Sequence, residues 1–200
     1  MTQAPTLIFA TNNAHKVEEI RSVLPDGLRI LTLLEAGIYQ DIPEPHDTLE
    51  ANAVEKARVI HTLTGMECFS EDTGLEVEAL NGAPGVRSAR YAGDGRSAND
   101  NMLLLLNNLH GHENRKARFR TVICLILGDR EHRFEGICPG HITLAPSGMQ
   151  GFGYDPVFIP EGAKKTFAEM SLSEKSSYSH RSKATAALVA FLREYGASGK

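Results

Sequence analysis

The stretch "ARFRTVICLILGDREHRFEGICPGHITL", residues 117–144, reads as two long strands around a "GDRE" turn. Apolar, β-branched and aromatic residues fill both arms, and a Gly-Asp pair marks the reversal. A hairpin of that kind is antiparallel. It makes the chain mixed α/β (α+β), with long, largely antiparallel central strands, and not a doubly wound parallel sheet.

The segments upstream supply helices and further strands. "TLIFAT" (6–11) reads as a buried strand running into "NNAHKVEEIRSVL", a helix with Val17, Ile20 and Leu24 on one face. Asn12 or Asn13 would cap that helix and "PDG" at 25–27 would end it. "LRILTL" is a second strand and "IPEPHD" a rigid loop. Asp47, with Glu50 three residues later, predicts a capping box. The helix it opens carries Leu49, Ala53, Ala57, Ile60 and Leu63 inward and stops at Gly65. "ECFSE" and "LEVEAL" read as strands, which leaves Glu71 and Asp72 at a strand end just before Thr73 and Gly74. "NGAPGV" is a turn and "SANDNMLLLLNNL" a third helix.

Downstream of the hairpin, "PSGMQGFGYDP" reads as a glycine-rich loop and "SEKSSYSHR" as another loop. "SHRSKATAALVAFLREYG" closes the chain as a helix capped by Ser179. Its inward face is Ala184, Leu188, Phe191, Leu192 and Tyr195, and Gly196 takes the C′ position.

Composition narrows the function classes. A chain of 200 residues can bury a substantial core as one large domain or two small lobes. The net charge of −4 offers no global positive field for nucleic acid or an anionic membrane. No apolar stretch approaches the roughly 20 residues of a membrane span, and the start lacks the basic region of a signal peptide. Cys68, Cys124 and Cys138 are odd in number, far apart and set in apolar segments. They read as buried thiols of a reducing compartment, so the expected location is cytoplasmic.

Several constellations can carry chemistry. His15 and Lys16 fall in the first turn of one helix, and His180 and Arg181 in the first turn of another. Cations there oppose the helix dipole by about 0.3–1 kcal/mol each. Either an anion sits where they converge with free N–H groups, or the helix starts are simply solvated. "GFGYDP" (151–156) interleaves aromatics, which stack on planar rings, with glycines, which permit close approach; a packed turn is the alternative. Glu71 and Asp72, as strand neighbours, point to opposite faces and so have separate tasks. One of them, with Glu44 of "IPEP", can hold a hard divalent cation; a charged strand end in solvent is the alternative. His110 and His112, and the basic run Arg115, Lys116, Arg118 and Arg120, read as solvated surface.

Taken in order, "ATNNAHK", "NAVEKA", "EDTGLEVEALNGAPGVRSARYAG", "GFGYDPVF" and "EKSSYSHRSKA" resemble the non-canonical purine nucleoside triphosphate pyrophosphatases, the inosine triphosphatase or Ham1-like family. The resemblance runs from Leu7 to Leu192. It implies a single domain over residues 1–200 of two lobes, elongated, with a cleft between them, and a homodimer. The implied activity is Mg²⁺-dependent (Mn²⁺ as the alternative) hydrolysis of ITP, dITP and XTP to monophosphate and pyrophosphate. The implied partner is a small nucleotide, with no nucleic acid and no membrane.

By the same resemblance, Thr11, Asn12, Asn13, Ala14, His15 and Lys16 would hold phosphates, and Lys56 would face the triphosphate. Asp72 would be general base and metal ligand, Thr73 would sit at the substrate, and Glu44 would share the metal. Phe152, Gly153, Tyr154, Asp155, Lys175, His180 and Arg181 would line the purine pocket. Two departures stand out: Ala51 occupies the place of a family Glu, and Asn12 that of a commoner glycine. The rival readings are a nucleotide-binding regulatory module and a pyrophosphatase for other modified or ordinary nucleotides.

Overall fold

In the computed structural model, which describes residues 6–197, the chain begins with β1 (Thr6–Phe9) and α1 (Ala14–Arg21), followed by β2 (Arg29–Leu31). The Asn13 side chain caps α1 by accepting from the Lys16 N–H at 3.2 Å. The helix ends at Arg21, before Leu24 and "PDG". Next come α2 (Leu49–Thr64) and β3 (Cys68–Val77). The cap of α2 is Thr48, whose hydroxyl accepts from the Ala51 N–H, and not Asp47. Gly65 stops the helix at φ 65°, as the sequence predicts. Leu63 is an exception on that helix: it is exposed and not inward.

β3 is the main departure from the sequence reading. "ECFSE" and "LEVEAL" merge into one strand, so Glu71 and Asp72 lie in mid-strand and not at an end. Gly74 is therefore no turn residue. A Cβ there would lie 2.6 Å from the Gly85 carbonyl oxygen, so only glycine permits β4 (Pro84–Gly85) to pair alongside.

The third helix, α3 (Ala98–Asn108), is capped by Ser97. The long hairpin follows as β5 (Lys116–Leu127) and β6 (Arg130–Ile142), turning at Gly128 and Asp129. β7 (Phe158–Pro160) then pairs antiparallel with β6. "SEKSSY" is not a loop but a helix, α4 (Leu172–Tyr178), opened by a reciprocal capping box between Ser171 and Glu174. Ser179 joins it directly to α5 (His180–Ala197), which runs past Gly196.

The strands form one sheet in the order β2-β1-β3-β5-β6-β7, with β4 on β3. The hairpin supplies the antiparallel part, but β1 pairs in parallel with both β2 and β3. Parallel pairing demands crossover connections, and α1 and α2 lie in them.

Two compact units divide this chain. The first takes in the described residues through Asp72, Thr121–Gly136 and the chain from Arg181 onward. Its core gathers Leu7, Phe9, Val17, Ile20, Phe69, Ile123, Leu125, Ala184 and Leu188. The register that sets Phe9 beside Phe69 stacks their rings at 4.6 Å, a contact worth about 0.5–1.5 kcal/mol beyond area burial. The second unit comprises Thr73–Arg120 and Ile137–His180. Its core is built on Leu75, Val77, Leu105, Leu109, Phe119, Tyr154, Phe158 and Phe167.

Candidate active site

Asp72 leaves β3 on the side of α2. Its Oδ1 receives the Lys56 ammonium at 3.1 Å, and the same ammonium lies 2.6 Å from Glu44 Oε1. Lys56 is only 5% exposed, yet it remains charged. Burial alone would lower its pKa, but Asp72 and Glu44 together raise it above the ordinary lysine value. For Asp72 the balance falls the other way. Burial pushes its carboxyl above the usual aspartate value, and Lys56 and Lys16 only partly offset that.

Glu71 points to the opposite face, as alternation along a strand requires. There it takes a bidentate contact from Arg181, with Nε to Oε2 at 2.8 Å and Nη2 to Oε1 at 2.9 Å. Lys16 lies 3.0 Å from the same carboxylate, and Arg181 Nη1 donates to Glu19. Burial would raise the Glu71 pKa, but the two cations reverse this and hold the carboxyl far below the usual range. The Arg181 pKa is correspondingly raised, by Glu71 and Glu19 against its own desolvation. Two cations and two anions thus close a neutral cluster inside the first unit.

In the second unit, Asp155 and Lys175 form a buried pair at 2.6 Å. The Lys175 ammonium stands 5.1 Å from the Phe152 ring centre and 5.3 Å from that of Phe167, within cation–π range. Asp155 also accepts from the Phe152 N–H at 2.8 Å. Gly151 makes this possible: at φ +73°, a Cβ would lie 2.0 Å from Asp155 Oδ2. The Tyr154 hydroxyl donates to the Ser88 carbonyl at 2.9 Å, and His180 stacks on Phe119 at 4.6 Å.

The remaining expected residues take these places. Thr11 Oγ1 accepts from the Asn13 N–H, and Asn12 Oδ1 accepts from the Leu34 N–H. Ala14 and His15 are exposed in the first turn of α1. Thr73 follows Asp72 in β3, and Gly153 has φ 62° in the aromatic loop. Arg118 and Arg120, expected in solvent, both pair with Glu76.

Sequence reasoning passed over Glu19 and Asn52. Asn52, only 1% exposed, hydrogen-bonds both backbone groups of His46 and the Asp72 carboxylate. Its signal was present: Asn52 and Lys56 are polar residues four apart within the apolar stripe of α2.

Among the described residues no three His, Cys, Asp or Glu side chains gather as a metal cluster. Two carboxylates, those of Glu44 and Asp72, do meet at one point, the Lys56 ammonium. Two hard oxygen donors fit a Mg²⁺-type cation, which takes one or two carboxylates and completes its shell with phosphate and water.

The Ham1 family model matches residues 7–191. A dITP/XTP pyrophosphatase of Flavobacterium psychrophilum is 52% identical over 187 residues, covering 94% of this chain and 98% of that protein. The Ham1 protein of Staphylococcus aureus superposes with a TM-score of 0.86 at 36% identity, covering 95% of this chain and 99% of that one. A HAM1 protein of Coxiella burnetii gives 0.87 at 33% identity over the same shares. A family match over nearly the whole length, with the fold shared at that level, means that this chain belongs to the Ham1 family.

Proposed function

We propose that this chain hydrolyses non-canonical purine nucleoside triphosphates (ITP, dITP and XTP) to the monophosphate and pyrophosphate. The observation that carries the reading is the convergence of Glu44, Lys56 and Asp72, with Lys16 one strand residue away on Glu71. Relatives about half identical over most of their length bear the name dITP/XTP pyrophosphatase.

Cleavage between the α and β phosphates needs neutralised charge, an oriented water and a stabilised leaving group. Lys16 and Lys56 supply positive charge to the triphosphate, and the Asn13-capped start of α1 adds its N–H groups. Glu44 and Asp72 would hold a divalent cation, Mg²⁺ or Mn²⁺, which when bound neutralises phosphate charge and acidifies water. Asp72 accepts the proton of the attacking water, a role suited to a carboxylate that burial makes more basic than an ordinary aspartate. The Lys175 ammonium donates to the 6-keto oxygen of inosine or xanthine, where adenine presents an amino group. Phe152 offers its ring to the base, and His180, Tyr154 and Asp155 support the pocket. A site built to hydrogen-bond one group rejects its absence strongly.

A binding module without catalysis is the rival. Two carboxylates, the buried Asp72 and the half-buried Glu44, beside a lysine that faces phosphate weaken polyanion binding unless a metal intervenes, which favours the enzyme. Cys68, Cys124 and Cys138, all buried and outside any disulfide, suit a cytoplasmic enzyme, and a homodimer is part of the reading, to be measured by light scattering. The deciding experiment is hydrolysis of ITP in ¹⁸O-labelled water, beside a panel of ordinary nucleotides. Label in IMP and none in pyrophosphate supports attack at the α-phosphate. Stepwise release of orthophosphate through IDP overturns it.

A further inference from the structure

The Asn52 side chain has its orientation dictated by backbone. The His46 N–H donates to Asn52 Oδ1 at 2.9 Å, and Asn52 Nδ2 donates to the His46 carbonyl at 3.1 Å. An N–H requires the amide oxygen and a carbonyl requires the amide nitrogen, so the side chain cannot flip without losing both bonds. The second amide hydrogen is thereby aimed at Asp72 Oδ2, 3.3 Å away. Lys56, one turn further along α2, holds the other oxygen of Asp72 at 3.1 Å. Each carboxylate oxygen thus has its own donor from the same helix face.

The clamp reaches Glu44 as well. His46 follows Glu44 with only Pro45 between, and a proline fixes its own φ and restricts the residue before it. Fixing His46 on α2 therefore fixes where Glu44 leaves the loop.

We propose that Asn52 is a positioning residue that sets the Glu44-bearing loop and the Asp72 carboxylate in one register for the divalent cation. The proposal rests on the reading of Glu44 and Asp72 as cation ligands. Outer partners of ligating carboxylates typically change metal affinity or activity by about 10–100-fold when removed.

Asn101 provides an internal control. It is 3% exposed and clamps two backbone groups in the same manner, accepting from the Ala92 N–H at 2.6 Å and donating to the Ala89 carbonyl at 3.0 Å. Both of those partners are backbone groups, where Asn52 has a carboxylate as its third. Asn52→Ala, Asn52→Asp and Asn101→Ala are compared for melting temperature, kcat and KM for ITP, and Mn²⁺ affinity by electron paramagnetic resonance with α,β-methylene-ITP present. Asn52→Asp keeps the shape and the bond from His46 but cannot donate.

The expected result is a 10–100-fold loss of kcat and of Mn²⁺ affinity in both Asn52 variants, with KM changed less than threefold. Asn101→Ala should lower the melting temperature and leave kcat and Mn²⁺ affinity within about twofold. Wild-type kcat and Mn²⁺ affinity in a folded Asn52→Asp overturns the proposal. So does an equal loss in Asn101→Ala at matched melting temperature. If Asn52→Ala fails to fold, Asn52→Asp alone decides. Failure of the underlying reading looks different: Asp72→Asn would then retain turnover and Mn²⁺ binding.

Discussion

Glu71 and Asp72 are consecutive in β3 and answer to different partners: Glu71 is held by Arg181 and Lys16, Asp72 by Lys56 and Asn52. Strand alternation sends the two carboxylates apart, so one strand step separates a structural ion cluster from the candidate catalytic group. Substitutions at these neighbours should therefore fail in different ways.

Asp72→Asn keeps the shape and can still accept from Lys56, but it is no base. Turnover of ITP should fall by about 10²-fold or more, with nucleotide binding largely retained. Steady-state kinetics and calorimetric binding of α,β-methylene-ITP check this. Near wild-type turnover would remove Asp72 from the chemistry.

Glu71→Gln should instead unfold the protein more readily. Breaking this buried ion pair leaves Lys16 and Arg181 with Glu19 as the cluster's one anion, a buried excess positive charge that costs about 3–5 kcal/mol at neutral pH. Because Glu71's pKa is depressed on folding, its contribution is complete above the ordinary glutamate value of about 4.3 and is lost as pH falls below that, through the folded value. Urea denaturation at pH 7 and pH 3 should show the variant's deficit shrinking in acid. A deficit that does not shrink would rule out the ionised cluster as its source.

Lys56 is the resident counter-cation of Glu44 and Asp72, so an added divalent ion must compete with it. In the absence of nucleotide, Lys56→Met should bind Mn²⁺ about tenfold or more tightly than the wild type, since a competing positive charge is gone. Added Mn²⁺ should raise its melting temperature, while ITP turnover falls. Chelation of divalent ions should abolish turnover in the wild type. Unchanged Mn²⁺ affinity in the variant would mean that Lys56 and the cation do not share the carboxylates.

Gly151→Ala places a methyl group where the Asp155 carboxylate lies and strains a backbone at φ +73°. Asp155 would be pushed off both the Phe152 N–H and Lys175. The preference for ITP over ATP, read as a ratio of kcat/KM values, should drop by about tenfold or more, and Lys175→Ala should do the same. Equal losses on both substrates would show that this pair does not read the base.

Much of the fold was legible locally. The long hairpin, an α1 cap at Asn12 or Asn13, the Gly65 stop and most of the inward stripe of α2 follow from periodicity and turn chemistry, and the structure places the cap at Asn13. The errors also have local causes. Thr48 and Asp47 are both good caps, and only the register of the apolar stripe chooses between them. The carboxylates and the glycine after Phe69 look like a strand end, whereas each acid has a buried counter-ion and Gly74 serves the approach of β4.

Sequence by itself determined the long hairpin, most of the inward stripes of the helices, the Gly65 stop, and that Glu71 and Asp72 part company, because these depend on spacings of a few residues. Only the tertiary structure decided their partners. Arg181 lies 110 positions from Glu71 and 162 from Glu19, and Asn52 lies 20 from Asp72. No local periodicity selects among the chain's 21 lysines and arginines for a given carboxylate. The choice is made by burial, because a charge taken out of water must meet its counter-charge wherever packing brings one.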